Sequence, residues 1–500
     1  MPRLNHLARS FAHTRGPKGY PTPSAPVRRL TSCQRGLSLG TTLNGSTWIP
    51  MTLSTTNQSL MARVVRSTSW IVLGFGTGQI LRLGSNLLLT RILFPEAFGL
   101  MALVTVIIIG LSLFSDMGIS NAIAQNPRGD EPDFLDSAWT VQIIRGGLLW
   151  LLTCALALPA ASFYDAPELA YCLPIAGFSL VLQGLLPTRV ETAYRHLLVG
   201  RVTAINLMAQ ACGILCMVTL AIWTQSVIAL AIGTVVQEGA KLAFVHWTLP
   251  GRRNSLRWEP AATHELIGMG KWIFLSTACF FLTTQGDRAI LGKYLSLEAM
   301  GIYNIAFFLA NFPVQLGQDV NQRLMIPVYR DKPALESDEN RRKQRQLRYA
   351  LTGGILSILW LMAWIGPWLV ELLYDDRYAA AGPVIVLLAS SLAPSIIVLT
   401  YDRAALAAGD TKRFFFYTAT RAFVQTALFL AGVTQFGLVG GIAAMGLAVF
   451  CSYPTLMRHT RPYRAQDPGH DLVYLTASLV MCGSALWYHW PKIAASVGVM

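Results

Sequence analysis

The sequence predicts an all-α protein that crosses a membrane many times, and three observations carry that prediction. Hydrophobic residues make up 53% of the 500 positions and charged residues only 13%, well below the roughly 25% charged share of soluble domains; mean hydropathy is +0.45. Apolar runs of about 20 residues recur along the chain, each long enough for ~30 Å of hydrocarbon, and they are continuous rather than alternating, which argues against a barrel. The third observation is a repeated phrase. Residues 89–100 read LTRILFPEAFGL and residues 291–302 read LGKYLSLEAMGI. At a shift of 202 positions, Leu89 matches Leu291, Leu93 matches Leu295, Glu96-Ala97 matches Glu298-Ala299, and Gly99 matches Gly301. Each copy sits where one apolar run ends and the next begins, so the chain reads as two similar halves, an organisation common among membrane transporters.

The elements follow in order. Residues 1–60 are rich in Arg, Ser, Thr, Pro and Gly, hold seven basic residues, and contain no run long enough to span; no Asp or Glu precedes Glu96. They read as a disordered or transit-like extension, or as the product of a start codon placed upstream of Met61, whose sequence Met-Ala-Arg-Val-Val-Arg leads straight into the first span. The spans are 67–92, 97–124, 137–161, 168–190, 202–223, 226–248, 268–292, 299–326, 349–373, 380–406, 413–434, 436–457 and 471–489. Six of them lie between the repeated phrases, so the halves run in the same direction, as parallel repeats. The expected organisation is two six-helix bundles, 61–260 and 261–460, around a central cavity, followed by a segment, 461–500, with one further transmembrane helix. Seventeen loop cations fall on the side of the N-terminus, from Arg128 to Arg464, whereas the opposite side holds Lys293, Arg377 and, at its margin, Arg91. The positive-inside rule then places the N-terminus in the cytoplasm and the C-terminus outside. The longest loop, about 328–348, carries ESDENRRKQRQ, which suits either a solvated linker or a contact with a partner or anionic lipid.

Composition also excludes. No loop has room for an extramembrane catalytic or nucleic-acid-binding domain. Seven of the eight cysteines lie in apolar runs, and Cys212 and Cys216 have no further ligand near them in sequence, so no metal site is expected. The run GFGTG at 74–78 lacks the strand–turn–helix context of a nucleotide loop.

The phrases LLLTRILFPEAFGLMALV, FSDMGISNAIAQ and QGDRAILGKYLSLEAMGIYNIAFFLANFPVQLGQ resemble the Wzx-like polysaccharide flippases of the multidrug/oligosaccharidyl-lipid/polysaccharide exporter superfamily. The resemblance covers about residues 61–460. It implies two six-helix bundles around a cavity, a multi-pass protein of the bacterial inner membrane, and movement of undecaprenyl-diphosphate-linked sugar repeat units from the cytoplasmic to the outer leaflet. It implies no catalytic residue and no bound cofactor, with a proton or sodium gradient as the energy source, and a polysaccharide polymerase and other assembly proteins as partners. Many relatives have fourteen spans, one more than is read here, and the N-terminal tail is foreign to the pattern.

An anionic headgroup cannot cross hydrocarbon unaided, because its hydrogen bonds to water would be lost. A flippase therefore needs a wet groove lined by cations, and arginine holds phosphate oxygens in a bidentate way. Arg82, accompanied by Gln79, lies near the middle of the first span, Arg421 well inside the eleventh, and Arg145 about two turns into the third. Each reads either as cavity lining or as an interhelical ion pair or snorkelling arginine. Asp287-Arg288, in the phrase QGDRAILG, reads as substrate contact and ion coupling or as structure at the half–half interface. Glu238 and Lys241 (i,i+3) and Asp319 and Arg323 (i,i+4) are spaced for local ion pairs; Glu238 is also a candidate for ion coupling. Asp402-Arg403 suits gating, and Asp116 packing or capping. Trp360, Trp364 and Trp368 form a stripe that suits lipid anchoring or sugar stacking. Three alternatives stand beside this reading, the blandest a membrane scaffold without transport, which leaves the mid-span arginines without a purpose. A multidrug exporter of the same superfamily should favour acidic cavity residues. A membrane polymerase or ligase acting on the same glycans should need a large outer loop or a carboxylate cluster.

Overall fold

The computed structural model describes residues 60–497 apart from 116, 117, 127 and 197. The expectations for the N-terminal extension, for Asp116 and for the side chain of Asp402 lie outside the described residues. All regular structure described is helical: α1 (Leu60–Ile92), α2 (Pro95–Phe114), α3 (Ile119–Gln125), α4 (Pro132–Phe163), α5 (Leu169–Gly184), α6 (Arg189–Arg195), α7 (Val199–Thr224), α8 (Ile228–Thr248), α9 (Pro260–Tyr294), α10 (Leu297–Ala310), α11 (Phe312–Asp331), α12 (Asp338–Leu373), α13 (Ala381–Ile397), α14 (Asp402–Ala407), α15 (Thr411–Thr460) and α16 (Pro468–Val497).

Helix boundaries follow local chemistry. Pro95, Pro132 and Pro260 open α2, α4 and α9, at the position where a missing N–H costs nothing. Ser296 and Ser337 accept from Ala299 N and Asn340 N and so cap α10 and α12. Eight helices are long and apolar enough to span, and two bent pairs, α5 with α6 (62°) and α10 with α11 (43°), bring the number to ten. Pro187 and Pro313 sit at the two bends. The 50 residues of α15 break at Phe436 and Gly437, where φ of Gly437 is +60°. A Cβ on Gly440 would strike the carbonyl of Gly432, a contact that eight residues of continuous helix, ~12 Å, could not make. The two arms therefore fold back as a hairpin of two spans. At 33 and 35 residues, α1 and α9 also have the length to span.

The helices pack as two sets that share one core. In the first, α4 lies on α5, α7 on α8, α1 on α7 and α5 on α8; in the second, α12 lies on α13, α9 on α15, and α13 on α15 and α16. Small residues let backbones meet: Gly146 against Gly184, Gly213 against Gly233 and Gly382 against Pro367. The sets meet along α2–α10 and α2–α9. At α2–α10 the repeated phrase contacts itself. A Cβ on Gly99 would overlap the carbonyl of Leu297, and one on Gly301 would overlap the carbonyl of Pro95. Positions 95 and 99 are equivalent to 297 and 301 in the repeat, so the contact is reciprocal, as across a two-fold axis.

The loops sort into two faces. On the cation-poor face, Arg377 donates to the carbonyl of Thr90 at 3.0 Å, Tyr378 donates to that of Leu93 at 3.1 Å, and Lys293 pairs with Asp165 at 2.8 Å. On the cation-rich face the connection 249–259 is tied to the start of α4. Buried Asp136 accepts from Ser255 Oγ (2.6 Å), Ser255 N (3.1 Å), Asn254 Nδ2 (3.2 Å) and Arg252 Nη2 (2.9 Å), and Arg128 pairs with Glu259 at 2.9 Å. Asp471 anchors α16 by accepting from the hydroxyls of Tyr401 and Tyr453, both at 2.6 Å. The tryptophan stripe is not simply a lipid anchor. Trp364 stacks on Tyr488 of α16 (5.8 Å between centroids) and its carbonyl accepts from His489 at 3.0 Å, whereas Trp368 stays 58% exposed.

Candidate functional site

A polar cavity of ≈ 430 Å³ lies between α1, α7 and α11. Glycine spacing creates its first wall. Gly74 and Gly78 turn toward α7, where a Cβ would meet Thr203 and Gln210, and Gln210 Nε2 donates to Gly78 O at 3.0 Å. With that face of α1 pressed against α7, Gln79 and Arg82, three residues apart and hence neighbours on the helix surface, project into the cavity. The facing wall is α11, where Gln315, Asp319 and Arg323 recur every fourth residue along one stripe. Asn206, Thr203 and Gln210 of α7 complete the polar lining. Among the described residues, one hydrogen bond spans the cavity between the two helix sets, from Gln79 Nε2 to Gln315 Oε1 at 3.0 Å.

The electrostatics favour an anion. Two guanidiniums face one carboxylate. The i,i+4 spacing of Asp319 and Arg323 predicts a local ion pair, but none forms: both side chains turn toward the cavity. Arg82 also has no carboxylate within pairing distance among the described residues. Arg323 Nη1 and Gln79 Oε1 are buried without a protein partner, a costly state for a donor and an acceptor unless another molecule satisfies them.

The other sequence-predicted residues are dispersed. Arg145, Glu238 and Lys241 line a separate cavity of ≈ 320 Å³ inside the first helix set. Arg145 donates to Ser115 Oγ at 2.9 Å and to the carbonyl of Ser112 at 2.8 Å, which ties α4 to the end of α2. Glu238 and Lys241 pair at 3.9 Å, as their spacing predicts, and Glu238 Oε2 is otherwise buried without a donor. Asp287 accepts from Tyr303 Oη at 2.6 Å, while Arg288 bonds Gln285 (3.0 Å) and stacks over Phe307 at 4.3 Å. Arg421, expected in the central cavity, is not in its lining; it donates to Ser395 Oγ of α13 at 3.3 Å. Arg403 is half-buried in α14. Only Arg82 and Gln79, of the residues predicted to touch substrate, are brought together at the interface of the two sets. Asp319, Arg323, Gln315, Asn206 and Gln210 were not foreseen there. The four-residue spacing of polar side chains on α11 was a usable signal, since an all-polar stripe within a span needs a wet or paired surface.

Comparison with known proteins adds four findings. Residues 88–383 match the family described as "Polysaccharide biosynthesis protein". The chain is 24% identical over 404 residues to the succinoglycan biosynthesis transport protein ExoT of Rhizobium meliloti (strain 1021), covering 78% of this chain and 77% of that one. Its fold is similar to that of the lipid II flippase MurJ in an inward closed conformation (TM-score 0.62, 10% identity, 84% of this chain and 99% of that one). It is also similar to an inward-facing multidrug MATE transporter of the MOP superfamily (TM-score 0.59, 14% identity, 78% and 96%).

Proposed function

The chain belongs to the polysaccharide biosynthesis protein family, and from that premise we infer that it is a flippase, which carries undecaprenyl-diphosphate-linked oligosaccharide repeat units across the membrane for surface-polysaccharide assembly. The observation that carries this reading is the pair of guanidiniums, Arg82 and Arg323, that line one cavity between the helix sets without a carboxylate partner among the described residues. Arginine forks suit the diphosphate, and the surrounding amides suit sugar hydroxyls. The lipid tail stays in hydrocarbon, so the protein has only to replace the water lost by the head.

We place the protein in the bacterial inner membrane with the cation-rich face in the cytoplasm, on the strength of loop charge. The cavity residues of α1 stand 10 to 18 positions from the end of that helix on the cation-poor face, about 15–27 Å in depth, so the head would enter from the cytoplasmic side. Transport would then rock the halves, 61–260 against 261–460, about the α2–α10 crossing. No chemical step is assigned to the protein. We assign coupling to a proton or sodium gradient to Glu238, whose Oε2 accepts no hydrogen bond and stands 3.9 Å from Lys241 in the cavity that both share with Arg145. A polymerase that consumes the delivered unit is the natural partner. The multidrug reading keeps the support of the shared MATE fold, but a cavity with two arginines and one aspartate would repel a cationic drug.

The test is complementation of a flippase-null strain with Arg82→Ala, Arg323→Ala and Glu238→Gln. Losing one charge-assisted contact, worth ~1.5–3 kcal/mol, should cut export by roughly ten- to a hundredfold at unchanged protein level. Glu238→Gln should leave binding intact and remove the response to a collapsed gradient. Full export by both arginine variants, at normal abundance, would reject the cationic cavity as the substrate path.

A further inference from the structure

A second strongly cationic pocket, ≈ 320 Å³, opens on the cation-rich face, away from the central cavity, between the start of α12 and the turn that leads into α16. Arg341, Arg342, Arg345, Arg348 and Arg464 line it. Asp467 engages Arg345 at 2.9 Å, and Asp338 is the remaining acid in the lining, so the wall carries three positive charges in excess. Arg348 is only 3% exposed. Its Nε donates to Thr400 Oγ1 at 3.0 Å, its Nη2 to Tyr329 Oη at 2.8 Å, and it stacks over the Tyr401 ring at 4.3 Å. Its hydrogen-bond partners are thus neutral oxygens, and it holds the floor of the pocket rigid. Arg464 reaches the opposite wall from a left-handed backbone (φ +49°), a conformation that L side chains rarely adopt and that surrounding contacts must impose.

Depth narrows the ligand. The apolar part of α12 begins at Leu351. Arg348 and Arg345 precede it by three and six residues, about 5–9 Å along the helix, which is the level of lipid headgroups. Loop cations needed only for orientation would be solvated singly. Here five guanidiniums converge on one concave site: Arg345 and Arg348 are engaged by Asp467, Thr400 and Tyr329 and form its frame, which leaves Arg341, Arg342 and Arg464 to meet phosphate oxygens.

We propose that this pocket is a phosphate-binding site that holds the phosphoryl group of an anionic lipid of the adjacent leaflet, or of a free phosphate or diphosphate of the same chemistry. It is independent of the transport reading, since none of its residues lines the central cavity. The experiment uses the purified full chain in a neutral detergent. Binding of short-chain phosphatidylglycerol, short-chain phosphatidylcholine and inorganic diphosphate is measured by calorimetric titration. Wild type is compared with Arg341→Gln/Arg464→Gln, which spares the buried Arg348, and with Arg330→Gln/Lys332→Gln, which removes the same charge from exposed positions outside the pocket. The expected result is phosphatidylglycerol binding that the pocket double variant weakens by roughly tenfold or more and the control by less than about twofold. Tighter binding of phosphatidylglycerol than of diphosphate identifies a lipid as the source; equal or tighter binding of diphosphate identifies a free phosphate. Equal weakening by the two double variants, or no binding of either anion, overturns the proposal.

Discussion

The seam between the two helix sets is dry at one end and wet in its middle. Toward the cation-poor face, α2 and α10 touch through their backbones, with Gly99 and Gly301 leaving no room for a methyl group. Farther along, α1 and α11 touch through one amide–amide hydrogen bond across a cavity of ≈ 430 Å³. The first contact is set by shape alone, and no side chain can rotate to relieve it. The second is set by polar side chains that can exchange partners with a ligand or with water. One interface thus carries both a fixed, close-packed contact and an adjustable polar site.

The largest effect should come from filling the close-packed contact. Gly99→Val and Gly301→Val each place Cβ atoms on a carbonyl of the facing helix, and main chain cannot yield as a side chain does. Destabilisation at or above the upper end of the usual ~1–3 kcal/mol for overpacking is expected, read as a lowered thermal midpoint and a loss of monodisperse protein. Because the contact is reciprocal, the two variants should behave alike. A large effect from one and none from the other would break the two-fold relation between the copies of the phrase.

That relation was half-legible in the sequence. The repetition of Glu-Ala-x-Gly at 96–99 and 298–301 marked two equivalent helix starts, and the long spanning helices followed from apolar runs whose lengths the bilayer dictates. That the copies would face each other was not legible, since local pattern says nothing about which helices become neighbours. The same limit explains the arginines. Arg82 and Arg421 are both deep within spans, but only packing decides that one faces α11 across a cavity and the other faces Ser395. For Asp319 and Arg323, helix spacing pointed to a pair, yet a side chain chooses between its own helix and the space opposite, and that space is built by residues more than 100 positions away. Asp136 shows the reverse case. Nothing near it in sequence explains its burial, which comes from Arg252, Asn254 and Ser255 folding back over it.

A smaller effect sharpens the wet side of the comparison. Gln79→Ala and Gln315→Ala each remove the one hydrogen bond that spans the cavity. A double-mutant cycle on thermal stability should return a coupling of about 1 kcal/mol, typical of a neutral pair. The single variants should keep most export, since each leaves the arginines in place. A coupling near zero would mean that the two amides are bridged by solvent and that the sets are uncoupled at mid-membrane.

The smallest effect concerns the rim of the dry end. Arg377 bonds Asp375 at 3.0 Å while reaching the carbonyls of Thr90 and Arg91 at the end of α1. The hydrogen bond from Arg377 holds the Asp375 carboxyl below the usual carboxylate range, against the upward push of partial burial. A depressed folded-state value means that the carboxylate contributes stability above its ordinary value, ~3.9, and loses it as pH falls through the depressed value. Over roughly pH 5–8 the rim should therefore be insensitive to protons. The difference in thermal midpoint between wild type and Arg377→Ala should be small, as for an exposed pair worth ~0–1 kcal/mol, and flat across that range, closing only below about pH 4. If it closed instead between roughly pH 6 and 8, where histidine titrates, then a group other than Asp375 would be fastening the rim, and the rim would be proton-sensitive rather than passive.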